Sequence, residues 1–199
     1  MCRMKKFLLA SVLALSVATS ANAAKIELGS NRCNDGDPNC YMITIEGKID
    51  EGDEVTFAKV AKNVTDGIVV MNSPGGHFET GLDIARQIRA KKLSTGALYC
   101  ASMCAVMWLS GSGHYYQKDS RIGFHGVYTA LVNKRSGERI RGVAATVPSG
   151  ANAVLGAYLS ELGVPYKTID LLVSPGPDDM YWLKTKNLDA LGIKATRID

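Results

Sequence analysis

Gly67-Ile68-Val69-Val70-Met71-Asn72-Ser73-Pro74-Gly75-Gly76-His77-Phe78 is the stretch on which the fold turns. Residues 67–71 are a short apolar run of strand length, and residues 72–76 are turn formers. Residues 78–91 then place Phe78, Leu82, Ala85 and Ile88 along one helical stripe, with Arg86, Arg89 and Lys91 in the last two turns, where cations suit the helix dipole. A buried strand that passes through a glycine turn into an amphipathic helix is the core of a strand–helix–strand unit. The alternation continues in both directions. Upstream, residues 41–45 read as a strand leading into Gly47, and residues 51–63 carry Val55, Phe57, Ala58, Val60 and Ala61 at helix-like spacing. Downstream, residues 93–99 read as a strand, 102–109 as a helix and 123–128 as another strand. Residues 131–141 fit a hairpin about Ser136-Gly137, and residues 151–162 a helix that Gly163 ends. Strands alternating with helices predict an α/β fold with a largely parallel sheet. With no repeat, low-complexity tract or linker, residues 24–199 are expected to form a single domain.

Composition supports an ordinary core: 199 residues with 46% apolar and 21% charged side chains exclude disorder, collagen-like repeats and a coiled coil. The formal charge of +4 is concentrated at the start, because Arg3, Lys5 and Lys6 precede the first acid, Glu27. Without those three cations, 20 basic residues face 19 acidic ones, too even a balance for nucleic-acid binding. The same segment reads as an export signal over residues 1–23: a cationic start, an apolar stretch over 7–17 and the small-x-small site Ala21-Asn22-Ala23. Cleavage before Ala24 is predicted. No other segment is long and apolar enough to span a bilayer, so the mature chain is expected to be periplasmic or secreted, with no membrane association after cleavage.

Four cysteines follow the signal, an even number in a compartment that permits disulfides. Cys33 and Cys40 flank the turn-rich Asn34-Asp35-Gly36-Asp37-Pro38-Asn39 and are predicted to bridge. A calcium loop competes for that cluster but lacks the bidentate Glu such loops need, and no metal site is expected. Cys100 and Cys104 are four apart, a spacing that in a regular helix leaves their Cβ atoms beyond disulfide range. They can pair only if Cys100 lies outside the helix.

Three places could carry chemistry. The glycines of Asn72-Ser73-Pro74-Gly75-Gly76 can expose backbone N–H donors to a ligand, or simply make a turn. No Gly-Lys-Ser/Thr follows and no Gly-x-Gly-x-x-Gly exists, so nucleotide cofactors are not indicated. In Cys100-Ala101-Ser102-Met103-Cys104-Ala105 the Ser102 hydroxyl stands at a helix start beside the Met103 N–H, where an oxyanion would be stabilised; the plainer reading is a helix cap. His125, in Ile122-Gly123-Phe124-His125-Gly126-Val127, is placed to serve such a serine as base or to be a structural histidine. His77, after the double glycine, could line a cleft or face water.

Taken together and in order, these residues resemble the proteolytic subunit of the Clp protease and, more widely, the Clp-protease/crotonase superfamily. The resemblance is carried by Gly47-Lys48-Ile49, Asn72-Ser73-Pro74-Gly75-Gly76, Gly81-Leu82-Asp83-Ile84, Cys100-Ala101-Ser102-Met103-Cys104-Ala105, Gly111 and Arg121-Ile122-Gly123-Phe124-His125. Trp182-Leu183 and Leu188-Asp189-Ala190-Leu191-Gly192-Ile193 match more loosely. It implies a spiral of β-β-α units with Ser102 as nucleophile, His125 as general base, and the N–H groups of Gly76 and Met103 as the oxyanion hole. The triad acid is open: counting back from Gly192 puts Met180 at the family's Asp position, with Asp178 and Asp179 beside it. Asp179, brought round by a local bulge, is the chosen candidate; a Ser-His dyad or another orienting group is the alternative.

The family's Gln-Pro pair and long helical extension after the histidine are replaced by Gly126-Val127-Tyr128 and a polar stretch over residues 133–139. Ring-on-ring assembly is therefore not implied, although a homo-oligomer is allowed. An exported chain is not expected to partner an ATPase. The expected function is an ATP-independent serine hydrolase without cofactor, a peptidase acting on peptides or unfolded protein through a Ser102 acyl-enzyme. The alternative is a ClpP-like binding or assembly module that has lost catalysis; a crotonase-type acyl-CoA enzyme is disfavoured because export separates it from CoA.

Overall fold

The apolar run quoted above becomes an interior strand of a seven-stranded sheet. Val69 and Met71 are fully buried on one face, while Ile68 and Val70 are half-covered on the other. The computed structural model describes residues 23–32, 40–129, 145–146, 148–176 and 178–198. Along the chain come β1 (Lys25–Arg32), β2 (Cys40–Glu46), α1 (Asp53–Val60), β3 (Asp66–Ser73), α2 (Phe78–Ala90), β4 (Ser94–Ala101), α3 (Met103–Leu109) and β5 (His114–Phe124). Then follow α4 (Ser149–Glu161), α5 (Tyr166–Val173), β6 (Tyr181–Trp182) and β7 (Thr196–Arg197). The sheet order is β1-β2-β3-β4-β5-β6, with β7 also on β5. Strands β2 to β5 are mutually parallel, β1 and β6 are antiparallel to their neighbours, and β7 is parallel to β5. This is a single α/β domain with a mostly parallel sheet, as the alternation of strands and helices requires.

The core lies between this sheet and its helices. Every residue of α3 is buried, and Trp108, fully enclosed, donates its Nε1–H to the Tyr115 carbonyl at 3.0 Å. The predicted stripe of α2 faces inward at Leu82, Ala85 and Ile88, with Phe78 partly buried against the core. Gly81 sits where α2 crosses α3, and a Cβ there would touch the Met103 side chain at 3.0 Å. From the other side Tyr158 of α4 donates to Ser110 Oγ at 2.9 Å, tying α4 to the end of α3.

Two boundaries differ from the sequence reading. The strand expected over residues 123–128 runs instead over β5 and stops at Phe124, leaving His125 just beyond it. The polar Gln117-Lys118-Asp119-Ser120, to which the sequence reading assigns no element, is a bulge: Ala97 pairs with Tyr116 and Tyr99 already with Arg121, so β5 holds extra residues between them. Ser120 closes the bulge by donating to the Ala97 carbonyl at 2.6 Å and accepting the Gln117 N–H at 2.7 Å. Strands β1, β6 and β7 and helix α5 had no sequence forecast; β6 and β7, of two residues each, are too short to show a period. Residues 1–22 of the predicted signal, Cys33 with the loop after it, and the expected hairpin over 131–141 lie outside the described residues. Cys40 is disulfide-bonded.

Candidate active site

The C-terminal ends of β3, β4 and β5 meet at one place. At the end of β4 the chain turns sharply into α3, and Ser102 is the turning residue, with φ 56° and ψ −127°. A non-glycine side chain in that region costs on the order of 1–3 kcal/mol and persists only where its surroundings impose it. The surroundings are visible. The Ser102 N–H donates to the Gly123 carbonyl of β5 at 2.9 Å, and its own carbonyl accepts the Ala105 N–H at 3.0 Å. Its hydroxyl makes no capping hydrogen bond, so the plain helix-cap reading does not describe this serine. The result is a half-buried hydroxyl held on a strained strand-to-helix elbow.

A disulfide braces the elbow. Cys100, in β4, is bridged to Cys104, in α3, with Cα atoms 5.1 Å apart and both residues fully buried. The condition stated from spacing is met: Cys100 belongs to the strand, not the helix.

The glycine turn after β3 is stacked directly on this elbow. A Cβ on Gly75 would sit 2.5 Å from the Ala101 oxygen and 2.8 Å from both the Met103 nitrogen and Ser102 Cβ. Gly75 has φ 84° and Gly76 φ 151°, both in territory that favours glycine. Buried Ser73 accepts the Gly75 N–H at 3.1 Å. Ile49 supports the turn from behind, its N–H donating to the Gly75 carbonyl at 2.8 Å and its carbonyl accepting the His77 N–H at 2.9 Å. Those bonds leave the Gly76 N–H without a partner among the described residues, and the same holds for the N–H of Met103, the first residue of α3.

His125 follows the end of β5 and is half-buried. Its Nδ1 lies 2.6 Å from the Gly126 carbonyl oxygen. Since a carbonyl only accepts, Nδ1 carries the proton and Nε2 is left unprotonated, the tautomer a general base needs. Burial lowers its pKa below the ordinary 6.5, and the Gly126 bond partly opposes this. The Tyr128 ring packs 5.1 Å from the imidazole. No hydrogen bond joins Ser102 Oγ to His125 among the described residues; what relates them is the pairing of β4 with β5, in which Ala101 is the register partner of Gly123.

The carboxylates are placed differently. Gly123 pairs with Trp182 and Phe124 with Tyr181, where the ladder ends, and Met180 Cγ covers Gly123. The register then breaks, because the Gly126 N–H donates to the Pro175 carbonyl at 3.1 Å. Asp178 and Asp179 fall in that break; both are exposed, and the Asp179 N–H is engaged with the Gly176 carbonyl. Neither carboxylate is hydrogen-bonded to His125, whose Nδ1 is on Gly126.

A residue the sequence reading missed holds the histidine loop. Asn152 of α4 accepts the Val127 N–H at 2.8 Å and donates Nδ2 to the Val127 carbonyl at 2.9 Å, clamping the peptide beside Gly126 as a neighbouring strand would. No local signal announces it, since the contact spans 25 residues. The other histidines are occupied elsewhere: His77 caps α2 through Thr80, and both ring nitrogens of His114 face carbonyl oxygens of Lys194 and Leu109. No group of three or more His, Cys, Asp or Glu side chains among the described residues could hold a metal ion.

No protein-family model matches the sequence, and no curated protein matches it significantly. Solved structures do match in fold. The ClpP protease catalytic domain from Plasmodium falciparum is 19% identical with a TM-score of 0.58, over 81% of this chain and 85% of that one. ClpP1 from Listeria monocytogenes is 16% identical with a TM-score of 0.54, over 78% and 92%. A variant of the 1510-N membrane-bound stomatin-specific protease is 17% identical with a TM-score of 0.57, over 78% and 77%. The chain therefore has the ClpP-like fold.

Proposed function

We propose that this chain is an exported, ATP-independent serine hydrolase that cleaves peptides or unfolded protein through an acyl-enzyme on Ser102. The observation that carries the reading is the uncapped Ser102 hydroxyl at φ 56°, on an elbow whose Met103 N–H and neighbouring Gly76 N–H are both unspent. Two backbone donors flanking a strained serine form a site for a developing oxyanion. His125 Nε2 takes the Ser102 proton as Oγ attacks the acyl carbon, and returns it to the leaving amine; water then releases the acyl group by the same route. In this scheme the Gly126 carbonyl fixes the histidine tautomer, so the site works as a dyad with a backbone orienter. The protease names of the structural neighbours agree with peptide substrates.

The competing reading, a binding or assembly module that has lost catalysis, draws on the lack of a carboxylate hydrogen-bonded to His125 among the described residues. Labelling of the mature protein with a fluorophosphonate probe separates the two. The hydrolase reading expects an adduct on Ser102, none in Ser102→Ala and at least a 100-fold slower reaction in His125→Ala. It expects equal, small effects from Asp178→Asn and Asp179→Asn; a much larger loss in Asp179→Asn would give that residue the orienting role. A folded wild-type protein that takes no probe and hydrolyses neither peptides nor simple esters would refute it.

A further inference from the structure

Asp53 is the one charged side chain buried among the described residues, at 3% exposure. Its Oδ2 accepts the backbone N–H of Asp50 at 2.8 Å and that of Ala24 at 3.1 Å. None of the ion pairs among the described residues includes it; these join Lys25 to Glu27, His77 to Glu51 and Arg86 to Asp83. A carboxylate enclosed without a cation is costly, and its place at the start of α1 compensates only in part. Ala24 is itself buried, whereas Ala23 is exposed. The nitrogen resting on this carboxylate is also the one that cleavage after Ala21-Asn22-Ala23 would release.

We propose that hydrolysis of the Ala23–Ala24 bond creates the missing cation, and that the Ala24 α-ammonium and Asp53 form a buried ion pair that completes the mature fold. The step balances without a further reagent: water adds across the amide, the C–N bond breaks, Ala23 keeps a carboxylate and Ala24 carries an ammonium. An amide donor at 3.1 Å from Oδ2 becomes a charged donor in the same place. The pair reaches the candidate active site along a short path. Asp50, held by the same Oδ2, follows Ile49, which bonds Gly75 and His77 on either side of Gly76. Asp53 is thus a positioning residue for the oxyanion turn, a consequence that rests on the hydrolase reading, whereas the ion pair does not.

The test uses mature protein recovered from cells that express the full chain, its N-terminus read by mass spectrometry. In the native protein an amine-acylating reagent should modify the Ala24 α-amine at least 100-fold more slowly than in the urea-unfolded chain, and Asp53→Asn should remove that protection. Asp53→Asn, and separately a chain that begins one residue earlier at Ala23, should each lower Tm by roughly 10 °C, and the combined variant no further than either alone. If Asp53→Asn does not fold, the one-residue extension decides, because it leaves every side chain in place. A mature N-terminus elsewhere, a freely reactive native amine, or losses that add would each overturn the ion pair. Fluorophosphonate labelling of Ser102 should slow in the extended chain. Absence of labelling in every form, with amine protection and Tm coupling intact, would refute the hydrolase reading and leave the ion pair standing.

Discussion

Gly75→Ala is the substitution whose outcome the geometry specifies most closely. The new Cβ would stand 2.5 Å from the Ala101 oxygen, where ordinary contact begins near 3.4 Å, so the glycine turn must retreat from the Ser102 elbow by about 0.9 Å. An oxyanion hydrogen bond of about 2.9 Å from Gly76 would then stretch to about 3.8 Å, which is no longer a hydrogen bond. Loss of one such donor costs about 100- to 1000-fold in rate. A left-handed φ of 84° adds a strain of about 1 kcal/mol, lowering Tm by roughly 2–4 °C, with the clash adding to it. Gly163→Ala separates the two contributions. Gly163 has nearly the same φ, 83°, but nothing within 4 Å of its Cβ position, so it carries the strain without the clash. The assay is the second-order rate of fluorophosphonate labelling, beside thermal unfolding of each variant. Gly163→Ala should lose stability and keep its labelling rate, while Gly75→Ala should lose both. A folded Gly75→Ala protein that labels within threefold of wild type would refute the assignment of this turn to the oxyanion hole.

The acid limb of the labelling rate should have its midpoint below pH 6.5, because burial lowers the His125 pKa and the base must be neutral; a pH–rate profile with a higher midpoint would contradict this. The sign for stability is the same: a histidine whose folded pKa is depressed contributes stability above its unfolded pKa, and that contribution is lost as pH falls through the folded value. Replacing both Cys100 and Cys104 with alanine should remove about 2 kcal/mol of loop-closure stabilisation and slow labelling at least tenfold while the protein remains folded, as circular dichroism and the probe assay would show. Asn152→Ala should cost roughly 1–3 kcal/mol in denaturant unfolding and slow labelling roughly tenfold, because the Val127 peptide beside the Gly126 carbonyl loses its clamp. Unchanged labelling would make Asn152 purely structural.

Much of this molecule was already legible as a line of residues. The run Gly67 to Met71, the turn through Gly76 and the stripe on α2 depend on local periodicity and glycine geometry, so β3, α2 and the parallel sheet could be read without coordinates. The same holds for the placing of Ser102 between a strand and a helix, and for the glycines whose positive φ the turn requires. What sequence could not decide is whatever depends on partners far along the chain. The polar residues 117–120 carry no strand pattern, and only the pairing of β5 with β4, where the four of them face Leu98 alone, shows that they bulge out. Local pattern left Ser102 open between helix cap and nucleophile, and only the folded elbow shows that its hydroxyl makes no cap. The partner of His125 was equally out of reach, because only the folded chain shows the Gly126 carbonyl on Nδ1 and both Asp178 and Asp179 exposed. Asn152 reaches Val127 and Ala24 reaches Asp53 across 25 and 29 residues, distances over which hydrophobic pattern carries no information and only the folded chain brings donor to acceptor.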